Sequence, residues 1–245
     1  MIDPAVLLII AAGALVLGAA KTSFPTAAML VIPILTLRLD ARMALGILMP
    51  LYVFADVVAI TSYRRGLNIA TALRLLPGAA AGMIIAVVVG QQLSSEVFNR
   101  VLGVLILTTV GLTVLLRARS DGVARNLPRW SIPIIGVAAG FATMIGNSGG
   151  PLVSIYLVLG GLANQSFVGT ASIFYLMVNL TKIPLHLAVW QSVTWQQMLS
   201  VSGLVFPAAV IGTYIGRWIL PRVPVDTFRR IVLGLTAIAA LRLVM

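Results

Sequence analysis

The chain has no cysteine and a single histidine. Without thiols there is no disulfide, no thiolate nucleophile and no thiolate-held metal. Charge is scarce as well. Only 9% of the 245 residues are charged, where a soluble domain carries about a quarter. A water-facing surface cannot be built from that supply, so soluble enzymes and soluble binding modules are excluded. Acid is scarcest: 6 Asp+Glu stand against 17 Lys+Arg. No two carboxylates read as one site and there is no H-E-x-x-H pair, so a membrane enzyme would lack its catalytic groups. The basic residues sit in short loops and form no continuous patch, which argues against nucleic acid as a partner. No cofactor and no metal are expected.

What is present is apolar: 60% of the residues are hydrophobic and the mean hydropathy is +1.08. Runs of roughly 17 to 25 apolar residues are long enough to cross ~30 Å of hydrocarbon at ~1.5 Å per residue. The reading is an all-α polytopic membrane protein whose one standing partner is the lipid bilayer. Its segments are 4–20, 26–37, 43–62, 70–90 and 100–116, then 131–145, 151–162, 167–187, 198–219 and 229–245. The polar stretch "RARSDGVARNLPRW" separates the two sets. The expected organisation is a first membrane repeat at 1–117, a linker at 118–130 and a second repeat at 131–245. The N-terminus has neither a basic n-region nor an A-x-A-like cleavage site, so the first apolar segment is expected to be retained.

The two sets look like copies. At a shift of 130 residues, "PGAAAGMIIAVVVGQQLSSEVFNR" (77–100) lies without gaps on "PAAVIGTYIGRWILPRVPVDTFRR" (207–230). At 123, "LYVFAD" (51–56) meets "FYLMVN" (174–179), and at 126, "KTSFP" (21–25) meets "NSGGP" (147–151). Arginines cluster around 63–69, 117–130 and 220–228, while 163–166 and 188–197 carry no charge. Basic loops stay in the cytoplasm. That places three crossings in each half after its first two segments, which inverts the second copy and leaves both termini outside, in the inner (cytoplasmic) membrane. The first two segments of each half must together cross an even number of times, as a re-entrant hairpin or as two spans. The expected form is a broken pair meeting mid-membrane, followed by three transmembrane helices.

KTSFP and NSGGP would form the tips of those pairs. Inverted repeats with interrupted helices near the midplane are how secondary transporters build substrate sites. Pro25 and Pro151 stand where a helix can begin, and Ser23 and Ser148 offer capping hydroxyls. Gly149 and Gly150 leave backbone uncovered for a ligand. Helix starts carry partial positive charge and free donors, which suit an anion, and Lys21 adds a full charge. The expected substrate-binding residues are Lys21, Thr22, Ser23, Asn147, Ser148, Gly149, Gly150, Asn179 and Lys182. Asn179, Lys182 and His186 fall on one helix face by their i, i+3, i+7 spacing. Asp56 and His186 are candidates for coupling or charge balance, since ionisable groups inside a membrane are functional candidates. Gly78-x-x-x-Gly82 and Gly212-x-x-x-Gly216 read as helix-packing pairs.

"AGFATMIGNSGGPLVSIYLVLGGLANQSFVGTASIFYLMVNLTKIPLHL" resembles the second-half signature of the TauE/SafE family of sulfite exporters. The elements are Gly149-Gly150-Pro151, then Phe167-x-Gly169-Thr170, then Asn179, Lys182 and Pro184. "GAAKTSFPTAAMLVIPIL" is similar to the first-half pattern through Gly18, Lys21, Phe24 and Pro33. Two departures stand out. Thr22, Ser23 and Pro25 occupy a break where members often carry glycines, and Asn147 stands where many carry a histidine. The resemblance implies export of sulfite or a small organosulfonate. The residues alone say a small anion with an oxyanion head, moved by a secondary transporter. An anion channel, or an exporter of another small oxyanion or carboxylate, is the alternative. A homo-oligomer is compatible with either.

Overall fold

The structure is a computed structural model that describes residues 3–23, 25–118, 128–162, 164–218 and 225–245. Among the described residues every regular element is helical. In hydrocarbon no water pairs free backbone groups, so an apolar chain of this composition closes its hydrogen bonds within helices. The helices are α1 (Pro4–Ser23), α2 (Val31–Leu35), α3 (Ala41–Ile47), α4 (Met49–Ser62), α5 (Ile69–Gln92), α6 (Ser95–Ala118), α7 (Ser131–Gly146), α8 (Gly150–Leu159), α9 (Asn164–Pro184), α10 (Trp195–Trp218) and α11 (Val225–Val244). Among the described residues five helical stretches are long and apolar enough to cross a membrane: Pro4–Thr22, Ile69–Gln92, Ser95–Leu115, Gln165–Val189 and Trp195–Trp218. The α3–α4 pair passes the same test as a unit bent by 46°.

Proline sets most of the interruptions. The expected segment 26–37 is a 3₁₀ turn, Pro25–Leu30, followed by the short α2. The expected 43–62 is broken between α3 and α4 because Pro50 cannot donate to the preceding turn. The Ser202 hydroxyl donates to the Ile47 carbonyl at that break, 2.5 Å away. Pro184 closes α9, and the chain continues as a π-helical turn, Leu185–Val189.

The 3₁₀ turn and α2 fold back along α1, so that Leu35 lies against Gly13. This is a hairpin with its tip at KTSFP. α7 and α8 form the corresponding pair with its tip at Asn147–Gly149. Neither tip stops at the middle of its neighbour. α1 runs parallel to α10, with Gly18 against Ala209 and Ala19 against Gly216, past the centre of that helix. α7 runs parallel to α5 in the same manner, with Gly140 against Ala79. Each tip thus runs past the middle of the helix it lies along, and α8 touches the 3₁₀ turn.

Glycine makes these parallel contacts possible. A Cβ on Gly82 would strike the Val137 carbonyl, and one on Gly212 the Leu15 carbonyl. A Cβ on Gly140 would strike the Ala79 carbonyl, and one on Gly18 the Ala209 carbonyl. Such close backbone approach substitutes for a hydrophobic drive that lipid does not supply. Two further pairs are antiparallel. α4 lies on α9, with Asp56 beside Asn179 and Tyr63 beside Gly169, and α6 lies on α11, with Gly103 beside Ala240.

The ends of the bundle differ. One gathers the 63–68 turn, the start of α9 and the end of α10. The other gathers the end of α5, the start of α6 and the π turn, through Gln91 Nε2 donating to Val189 O at 3.1 Å and Trp190 Nε1 to Val87 O at 3.2 Å.

Candidate functional site

Lys21 lies in the last turn of α1, where the negative end of the helix favours a cation. Its Nζ donates to Asp56 Oδ1 at 2.6 Å. Asp56, on α4, is fully buried, and its Oδ2 accepts from Asn179 Nδ2 at 2.7 Å. The Lys21 ammonium also lies over the Tyr175 ring at 4.5 Å and the Tyr52 ring at 5.6 Å, close enough for attraction to the ring faces. Each carboxylate oxygen of Asp56 has its own donor, so the residue is held as a counterion.

At the second tip α7 ends on Asn147, with φ 53° and ψ 25°. Its N–H donates to Thr143 O at 3.0 Å and that of Ser148 to Ala142 O at 3.2 Å, the pairing that caps helices through a left-handed residue. Glycine is the usual choice there and asparagine the next. Here the side chain has a second role. Asn147 Oδ1 accepts from Lys182 Nζ at 2.8 Å and from Thr143 Oγ1 at 3.3 Å. Lys182 also donates to the Thr143 carbonyl at 2.9 Å. It is 0% exposed, and both acceptors are neutral.

Asn179 and Lys182 are neighbours on α9, so the two tips are joined: Lys21, Asp56, Asn179, then Lys182 and Asn147. Protonated, the two lysines outnumber the one carboxylate. Burying unpaired charge costs several kcal/mol per ion unless hydrogen bonds offset it. Lys182 uses two of three N–H donors. Around it the Tyr52 and Tyr175 hydroxyls and Asn147 Nδ2 are buried donors without an acceptor, and Asn179 Oδ1 is a buried acceptor without a donor. Tyr52 stands next to Asn147, but no bond between them meets hydrogen-bond geometry. Surplus donors around surplus positive charge are the chemistry of an anion site.

Lys21, Asp56, Asn147, Asn179 and Lys182 thus come together. Other expected residues do not. The Thr22 hydroxyl turns to α10 and to its own helix, donating to Thr213 O at 3.3 Å and Gly18 O at 3.1 Å. Ser148 Oγ donates back to Ala142 O at 3.1 Å, and α8 starts without a side-chain cap, so the expected capping role is not met. Gly149 is not open to a ligand: a Cβ there would lie 2.7 Å from the Ala139 carbonyl. Gly150 is the open one, since a Cβ would meet only Tyr175 OH, at 3.9 Å. His186 lies in the π turn that follows Pro184 and makes no hydrogen bond to the cluster. It is buried, its Nδ1 2.9 Å from Ser192 Oγ and its ring edge-on to Trp190. The Ser23 side chain and Phe24 lie outside the described residues.

Three members of the cluster were not singled out from sequence: Thr143, Tyr52 and Tyr175. The two tyrosines had a signal. In the pairing of LYVFAD with FYLMVN they occupy the same position, one turn before Asp56 and Asn179.

The sequence matches the family described as Sulfite exporter TauE/SafE over residues 6–243. The chain belongs to this family. No curated protein and no solved structure matches it. As a TauE/SafE protein it is a multi-pass membrane transporter, and the family's function is export of sulfite-type anions. The family-like motifs divide by role. Gly149 and Gly169 serve packing, Gly169 against the Tyr63 carbonyl. Thr170 Oγ1 accepts the Asn68 N–H at 3.0 Å and fixes the 63–68 turn. Lys21, Asn179 and Lys182 form the charged cluster.

Proposed function

We propose that this TauE/SafE protein exports sulfite or a small organosulfonate across the cytoplasmic membrane by alternating access, binding the anion between the two hairpin tips. One observation carries the reading: Lys182 is wholly buried with neutral acceptors only, beside a Lys21 that already consumes the sole carboxylate. An anion at the spare donors of Lys182, Tyr52, Tyr175 and Asn147 would balance the charge. Gly150, with Pro151 in the first turn of α8, brings a helix start to the same place. The full burial of Lys182, Asp56 and Asn179 fits an occluded carrier better than an open pore.

The architecture proposed for this cycle is an inverted repeat of residues 1–117 and 131–245 joined by 118–130, with both termini outside. The packing supports it. Gly82 meets Val137 as Gly212 meets Leu15, and Gly140 meets Ala79 as Gly18 meets Ala209; the α5 and α10 positions correspond at the shift of 130, and the α1 and α7 positions at 122, one helical turn from the 126 that pairs KTSFP with NSGGP. A two-fold axis in the membrane plane would exchange the α1–α10 and α7–α5 pairs and map α4 on α9 and α6 on α11. Movement of one half against the other would then expose the site to each side in turn. No coupling ion is required. An anion leaving a cell that is negative inside gains ~2.3 kcal/mol per charge per 100 mV. Asp56, held by Lys21 and Asn179, acts as a fixed counterion in this scheme.

The reading is tested by a binding screen of purified protein against sulfite, sulfate, sulfoacetate, taurine and short carboxylates. Saturable binding of sulfite or a sulfonate, lost in Lys182→Gln, is the expected result. Binding of none of these anions would dismiss it.

A further inference from the structure

At the end of the bundle that gathers the 63–68 turn, a cavity of about 520 Å³ is lined by Thr61, Ser62, Arg64, Arg65, Gln165 and Arg217. Every lining residue is polar, and they come from α4 and its following turn, the start of α9 and the end of α10. Among the described residues none of the three arginines makes an ion pair. Arginine on a cytoplasmic face follows from topology alone. Topology does not require arginines from the 63–68 turn and from the last turn of α10 to line one concavity. The cavity also has a direct relation to the buried cluster. Tyr63 lies in sequence between the lining residues Ser62 and Arg64, and its hydroxyl donates inward to the Thr22 carbonyl at 2.8 Å. Thr22 is the neighbour of Lys21. Tyr63 therefore ties the chain that lines the arginine cavity to the tip that carries the first lysine.

We infer that this cavity is a second anion site, a vestibule that captures a small sulfonate or sulfite ion before it passes Tyr63 to the Lys21–Lys182 cluster; the assignment rests on the export reading for its place in the cycle. Guanidinium groups match oxyanions through paired N–H donors. Like charges converging in a concave, low-dielectric mouth raise the local concentration of a small counter-ion by ~10-fold or more. The site is solvated, so its affinity is weak and falls as salt screens it. The vestibule changes the rate of capture, and for a passive carrier it alters kcat/KM equally in both directions.

The native chain has no cysteine, so Gln165→Cys places a single reporter thiol in the cavity. In neutral-lipid nanodiscs, a sulfonate-bearing methanethiosulfonate should label it about 10-fold faster than a trimethylammonium analogue at low ionic strength. Sulfoacetate should protect it. Protection should persist with Lys182→Gln added, which disables the central site, and vanish with Arg64→Gln, Arg65→Gln and Arg217→Gln added. If the triple change prevents insertion, Arg217→Gln alone should still reduce the charge preference by about 2- to 3-fold. Equal labelling by both reagents, or no protection by sulfoacetate, overturns the vestibule. So does protection by phosphatidylglycerol in place of sulfoacetate, which would make the cavity a lipid headgroup site. Failure of the vestibule leaves export by the wild-type protein intact, whereas failure of the export reading shows as absent transport with the labelling pattern preserved.

Discussion

Replacing Lys182 with glutamine removes a buried charge and keeps a hydrogen-bond donor near Thr143 O and Asn147 Oδ1, now at 2.9 and 2.8 Å from the ammonium. In the empty protein that charge is a burden. Two bonds from a charged donor return about 1.5–3 kcal/mol each, against a desolvation penalty of several kcal/mol for an ion that has no carboxylate of its own. The two nearly cancel, so Lys182→Gln should leave thermal stability within about 1 kcal/mol of wild type or raise it. The anion-bound protein is a different case. Two unit charges about 4 Å apart at an effective dielectric near 20 attract by about 4 kcal/mol, which is close to three decades in Kd. Calorimetric titration with sulfite, run beside a thermal melt, reads both quantities. The expected result is a fold at least as stable and an affinity lower by about 10²- to 10³-fold. A variant that is well folded and binds as tightly as wild type would remove Lys182 from the site. One that melts much earlier would make its role structural.

Four more outcomes follow from the same contacts. Lys21→Met should cost about 3–5 kcal/mol because it strands a buried carboxylate, and Lys21→Met with Asp56→Asn should recover most of that; a cycle of chemical melts that came out additive would deny the pairing. Gly149→Val should abolish folding by collision with the α7 backbone, while Gly150→Val should insert and bind sulfite less tightly, so fluorescence-detected size exclusion and binding must separate the two. Gly82→Ala and Gly212→Ala should destabilise by similar amounts, about 1–3 kcal/mol or more, and strongly unequal melts would weaken the repeat. Cysteines at Ser120 and Gln191 should react with impermeant reagents from opposite sides, and same-side labelling would contradict the inverted topology.

Much of the fold was legible because membrane segments announce themselves by length and hydropathy. The ten expected segments match the helical stretches to within about five residues, apart from the 3₁₀ turn at Pro25–Leu30 and the bends at Pro50 and Pro184. The site was partly legible. Lys21, Asp56, Asn179 and Lys182 stood out because charge and amide are expensive in hydrocarbon, so each is conspicuous. Glycine roles were not legible, since a glycine that admits a ligand and one that admits a neighbouring backbone look alike until the neighbour is known; Gly149 and Gly150 are adjacent and differ in this respect. The π turn at Leu185–Val189 was not legible, since Pro184 announces a break but not the form the chain takes after it. Tyr52 and Tyr175 escaped notice because tyrosine is common in membrane helices. Only their equivalence between the two halves marked them.

Sulfite efflux from loaded proteoliposomes at a clamped membrane potential decides whether the protein is a sulfite carrier. Efflux should be saturable, faster when the interior is negative, and accelerated by unlabelled sulfite on the opposite side as a carrier requires. Efflux no faster than from protein-free vesicles, or flux that rises linearly with concentration and shows no counterflow, would contradict the carrier reading.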